Sequence, residues 1–73
     1  MVTAKDLAKA ANEPYNTIDF WTGEDLLVYT RKGRKRFYPL EVNLERCSRI
    51  RELQNEGYSL PSIRKEFSRK GGI

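Results

Sequence analysis

YTRKGRKRFY, residues 29–38, is the stretch on which the reading of this chain turns. Within residues 31–36, Arg31, Lys32, Arg34, Lys35 and Arg36 surround a single Gly33. Tyr29 and Thr30 precede the basic run, and Phe37 and Tyr38 follow it. Aromatic and β-branched side chains suit pleated strands, and a central Gly has the backbone freedom that a short turn needs. The pattern predicts two short strands joined by a cationic tip. An isolated two-stranded hairpin is marginal in water, so this one must lean on the helices to either side. Acidic residues are spread along the chain, yet none falls between Tyr29 and Leu40. A tip of that charge suits a polyanion.

Upstream, Thr3 and Asp6 form a capping pair, with the Thr oxygen positioned for a free backbone N–H. Ala4, Leu7, Ala8 and Ala11 recur at helical spacing, and Lys5 and Lys9 point away from that stripe. A stripe made mostly of alanine lets the helix approach its neighbour closely. Asn12-Glu13-Pro14 is a break, because Asn tolerates left-handed angles and a residue before Pro avoids helical ones. A second helix is expected over residues 14–23, since Pro is at home in a first turn. Ile18 and Trp21 share one of its faces with Phe20 alongside, leaving Tyr15, Asn16 and Asp19 on the other. Two short helices about a tight turn outline a helix-turn-helix, whose second helix would present its N-terminal half to a DNA groove.

Leu26, Leu27 and Val28 lead into the hairpin, and Pro39 closes it. Leu40, Leu44, Cys47, Ile50 and Leu53 keep near-helical spacing to about Glu56, and Glu45 stands four residues before Arg49, the favoured order for an exposed pair. Gly57 suits the end of that helix. Ser59 can cap a fourth helix whose buried side is Leu60, Ile63 and Phe67. The expected fold class is mainly α with a small β-hairpin: helix, helix, two-stranded wing, helix, helix, a winged helix-turn-helix. The domain is expected over residues 1–68, with a flexible tail at 69–73.

Seventy-three residues make one domain, which hides only roughly 60% of the surface of its unfolded chain. A deep catalytic pocket is hard to build in so little protein. The chain has one Cys and no His, so it has no internal disulfide, no imidazole base and a poor set of zinc ligands. No Gly-rich phosphate loop or carboxylate constellation is evident, and the chain does not read as an enzyme. No apolar run approaches the ~20 residues that span a bilayer, and nothing resembles a signal peptide. The expected location is cytoplasmic. A net charge of +4 favours anionic partners.

Four segments resemble the DNA-binding domain of MerR-type transcriptional regulators: TAKDLAKAA in the first helix, TIDFWTGEDLL across the second, RFYPLEV closing the wing and GYSLPSI opening the last helix. Together they extend from Val2 to about Ser68. The resemblance implies a winged helix-turn-helix in bacterial or phage transcription regulation, at the nucleoid, with the second helix in the major groove of double-stranded DNA and the wing on the sugar-phosphate backbone. Carried over by position, Tyr15, Asn16 and Thr17 lie on the reading helix, and Arg36 and Tyr38 match the wing's backbone-contacting Arg and Tyr. Asp19 stands where the family usually has a basic residue, and Trp21 where it has a Tyr. The family's long dimerisation helix and effector domain have no counterpart in these residues, so no metal, drug or other cofactor is carried over. A second copy of the chain and RNA polymerase are the further partners the resemblance suggests.

The expected DNA-binding residues are Tyr15, Asn16, Thr17, Asp19, Trp21, Arg31, Lys32, Arg34, Lys35, Arg36 and Tyr38. If each of the five wing cations met one phosphate, the log–log salt slope would be roughly −4 to −5. Asn suits a bidentate pair with adenine, and Asp can accept from cytosine N4, although Asp19 could equally pair with a wing Arg or temper affinity by repelling phosphate. Trp21 would straddle core and backbone, while Phe20, Phe37 and Tyr58 read as core and Cys47 as an inert core thiol. Arg64, Lys65, Arg69 and Lys70 read as solvated helix surface. Two alternatives stay open: an excisionase-like or architectural DNA-binding protein that bends adjacent repeats cooperatively, and a protein-interaction module whose basic hairpin meets an acidic partner.

Overall fold

Thr3 opens the first helix by accepting a hydrogen bond at Oγ1 from the Asp6 N–H at 3.2 Å. In the computed structural model, which describes residues 1–69, the order is α1 (Ala4–Ala11), α2 (Tyr15–Gly23), β1 (Thr30–Lys32), β2 (Lys35–Phe37), α3 (Leu40–Asn55) and α4 (Leu60–Arg69). The break after α1 forms as the residue types require. Asn12 takes left-handed angles at φ 56° and returns its N–H to Ala8 and Lys9, and Pro14 is the N-cap of α2. Asp25, at φ 63°, turns the chain out of α2 in the same way.

The hairpin is antiparallel with Thr30 opposite Phe37, Arg31 opposite Arg36 and Lys32 opposite Lys35. Its loop is Gly33-Arg34, and Gly33 sits at φ 61°. A positive φ at the first of two loop residues is what a type II′ turn demands, and its twist matches that of the strands. Each leg of the wing has its own anchor. On the outgoing leg, Val2 and Tyr38 exchange backbone hydrogen bonds of 2.9 and 2.7 Å, stitching the wing to the residues before α1. On the incoming leg, the fully buried Asn43 of α3 accepts from the Val28 N–H at 2.8 Å and donates to the Val28 carbonyl at 2.8 Å. It also donates to the Pro39 carbonyl at 2.7 Å. A side-chain amide has both a donor and an acceptor, so it can stand in for a neighbouring strand.

The core gathers Leu7 and Ala8 of α1, Ile18 and Trp21 of α2, and Cys47, Ile50 and Leu53 of α3 around Leu26, Leu27 and Tyr38, with Ile63 and Phe67 of α4 closing it. The small-faced α1 touches both α2 and α3. Arg51 of α3 braces the α1–α2 turn, donating to both Glu13 carboxylate oxygens at 2.8 and 2.6 Å while lying over the Trp21 ring. Burial pushes the Cys47 thiol up to about 11, aided by the charge of Glu13 and opposed by Arg51, which keeps it protonated and inert as expected.

Several expectations are corrected. Phe20 and Tyr58, read as core, are exposed: Phe20 lies one position round α2 from the buried Trp21, and Tyr58 lies in the connection between α3 and α4. Arg49 pairs with Glu52 at 2.8 Å instead of with Glu45. Arg69, expected at the start of the tail, is the last residue of α4, where it pairs with Glu66. The rest of the expected tail, Lys70 included, lies outside the described residues.

Candidate nucleic-acid interface

The outward face of α2 carries Tyr15, Asn16, Asp19 and Phe20, all exposed, with Thr17 half-buried beside them. On the wing, Arg31, Lys32, Arg34 and Lys35 are exposed and Arg36 is half-buried. The hairpin register sets Arg31 directly across from Arg36 and Lys32 across from Lys35. Like charges opposite one another destabilise a two-stranded ribbon. Neither Arg31, Lys32, Arg34 nor Lys35 makes an ion pair with a described residue, so within the described fold only Asp19, on Arg36, offsets that repulsion.

Arg36 is the wing cation that the fold does engage. Its Nη1 donates to Asp19 Oδ1 at 2.9 Å, and its guanidinium lies 5.4 Å from the centroid of the Tyr29 ring. Partial burial opposes its charge, but the hydrogen bond to Asp19 and the nearby Tyr38 leave Arg36 above its ordinary value. The proton assignment follows from counting donors. The Thr22 hydroxyl donates its one proton to the Ile18 carbonyl at 2.8 Å. In the 2.9 Å contact between Thr22 Oγ1 and Tyr38 Oη, Tyr38 must therefore donate. That hydrogen bond ties the end of the wing to α2.

Two of the expected DNA-contacting side chains lie elsewhere. Trp21 is 2% exposed and Tyr38 0% exposed, so neither presents a surface to a ligand. Trp21 packs into the core with the Arg51 guanidinium over its ring, and Tyr38 spends its hydroxyl on Thr22. Their aromatic character is shared by core and interface residues alike, and only packing separates the two. Of the other nine, five share one groove and Asp19 reaches it through Arg36, while Asn16, Thr17 and Lys32 do not line it. Tyr15 and the wing cations Arg31, Arg34, Lys35 and Arg36 line one shallow groove, whose far wall is Thr3, Ala4 and Lys5 at the start of α1. Lys5 was set aside in the sequence because it points off the α1 apolar stripe; the signal that could have found it was its charge next to the cap at Thr3.

A family model described as "MerR HTH family regulatory protein" matches residues 2–70. No curated protein matches the sequence. Among solved structures, the transcription regulator PbrR691 from Ralstonia metallidurans CH34, in complex with lead(II), superposes with a TM-score of 0.85 at 29% identity. The match covers 97% of this chain and 56% of that one, so the present chain spans little more than half the length of that regulator.

Proposed function

The chain belongs to the MerR HTH family of regulatory proteins, and from that premise we propose that it binds double-stranded DNA with the outer face of α2 in the major groove and the wing on the sugar-phosphate backbone, regulating transcription. The observation that carries this reading is the register of the wing. Pairs of cations face each other across a three-residue ribbon with no acidic neutraliser among the described residues, except for Asp19 on Arg36. Such an arrangement costs folding stability and is offset when a polyanion supplies the missing charge. The residues proposed to contact DNA are Tyr15, Asn16, Thr17 and Asp19 on α2, and Arg31, Lys32, Arg34, Lys35 and Arg36 on the wing. The lead(II) of PbrR691 stays with that protein: among the described residues no group of three or more His, Cys, Asp or Glu could hold a metal ion.

Fluorescence anisotropy of a labelled duplex, titrated between 50 and 200 mM salt, tests the proposal. With Arg36 already occupied by Asp19, the four remaining wing cations contribute about −3 to −4 to the log–log slope. Changing Arg34 or Lys35 to Ala should each reduce it by about 0.9. No binding at the lowest salt would overturn the reading in favour of an acidic protein partner. Cooperative bending of adjacent sites would move it to the excisionase-like alternative.

A further inference from the structure

We infer that the interface is divided in two: the groove between the wing and the start of α1 seats the backbone of one DNA strand, held by Lys5 and Tyr15 opposite the wing, while Asn16 and Phe20 read adjacent A·T base pairs. This rests on the DNA-binding reading and goes beyond it by assigning each side chain to backbone or base.

The geometry of α2 makes the division. At about 100° per residue, Tyr15 and Asp19 lie within about 40° of each other, and both face the wing. Tyr15 lines the groove beside Arg34 and Lys35, and Asp19 reaches Arg36. Asn16 and Phe20 lie about 100° and 140° round from Tyr15, four residues apart and therefore side by side on the helix surface. A strand of phosphates following the groove meets the wing on one wall and Lys5 on the other. Among the described residues that line it none is acidic, and the positive end of α1, at Ala4, adds to the same field.

The other stripe has different chemistry. Phe20 is 55% exposed, a large apolar ring held in water next to the amide of Asn16. Neither group suits a phosphate. An Asn amide can pair with both exposed edge atoms of adenine, and an aromatic ring packs well on a thymine methyl. Side by side, they match adjacent A·T pairs in the major groove, where the four base-pair orientations are distinguishable.

The test uses the full chain and three duplexes: one selected from a random pool, the same duplex with its A·T pairs changed to G·C within the α2 footprint, and a scrambled one. Lys5→Ala should weaken all three equally, by several-fold at low salt, and lower the salt slope by about 0.9. Lys9→Ala, exposed on the same helix but not lining the groove, should match the parent. Tyr15→Phe should also weaken all three equally. Phe20→Ala should leave the slope unchanged and shrink the preference for the selected duplex over its G·C version by about tenfold. Circular dichroism checks that each variant is folded. The division fails if Lys5→Ala behaves as Lys9→Ala, or if Phe20→Ala weakens all duplexes alike. Arg34→Ala separates the two levels of failure. If it too has no effect, the DNA-binding reading of the wing falls; if it weakens binding while Lys5→Ala does not, only the backbone seat falls.

Discussion

Replacing Asp19 by Asn removes the carboxylate that holds Arg36 across the α2–wing contact and keeps the shape of the side chain. The pair is 2.9 Å long, with its side chains 31% and 57% exposed, so solvent screens much of its attraction. A pair of this kind contributes about 0–1 kcal/mol, and its loss should lower stability by no more than that. The effect on DNA binding should run the other way. Freed from Asp19, Arg36 can turn to a phosphate, and recovering up to about 1 kcal/mol raises affinity about fivefold. Removing a negative charge from the face of α2 adds to this at low salt and little beyond the ~10 Å screening length at 0.1 M. Affinity for a duplex of random sequence should therefore rise between about twofold and tenfold at 50 mM salt, and the slope should steepen by up to about 0.9 as a fifth phosphate is engaged. Anisotropy at several salt concentrations reads both quantities. In an Arg36→Ala background the gain should largely vanish if it is routed through Arg36, and persist if Asp19 repels phosphate directly. Unchanged affinity and slope for Asp19→Asn in the parent chain would refute the idea that this carboxylate restrains the wing.

Other perturbations reach the fold beneath the interface. Asn43→Ala strips three part-buried backbone groups of their partner and should cost about 2–3 kcal/mol, seen as a lower urea midpoint with an unchanged slope. Tyr38→Phe removes the hydroxyl that donates to Thr22; a loss of about 1 kcal/mol should lower Tm by about 4–8 °C and leave the salt slope of DNA binding unchanged. Cys47 carries a thiol raised from 9.0 to about 11, so the native state holds its proton more tightly than the unfolded chain does. The stability this adds is complete below about pH 9 and is lost as pH rises through about 11; Cys47→Ala should flatten that part of the stability–pH curve, and a thiol reagent at pH 8 should label the parent only as fast as it unfolds.

Local chemistry made much of this molecule readable from its residues alone. The cap at Thr3, the left-handed Asn12, the Pro14 start of α2 and the Gly33 turn are each set by one side chain's own conformational preferences, which act wherever the chain goes. The cationic tip and the helix-turn-helix order followed from the same short-range signals. Which aromatics are core and what Asn43 does are different questions, answered by residues far apart in the chain. Trp21 is covered by Arg51, Tyr38 is held by Val2 and Thr22, and Asn43 acts on Val28 fifteen positions away. Phe20 and Trp21 are neighbours in sequence and of similar polarity, yet 100° of helix rotation sends one to solvent and the other to the core. Side-chain type determined the elements, but only packing of distant segments against one another could decide which of these side chains are left facing outward to meet a ligand.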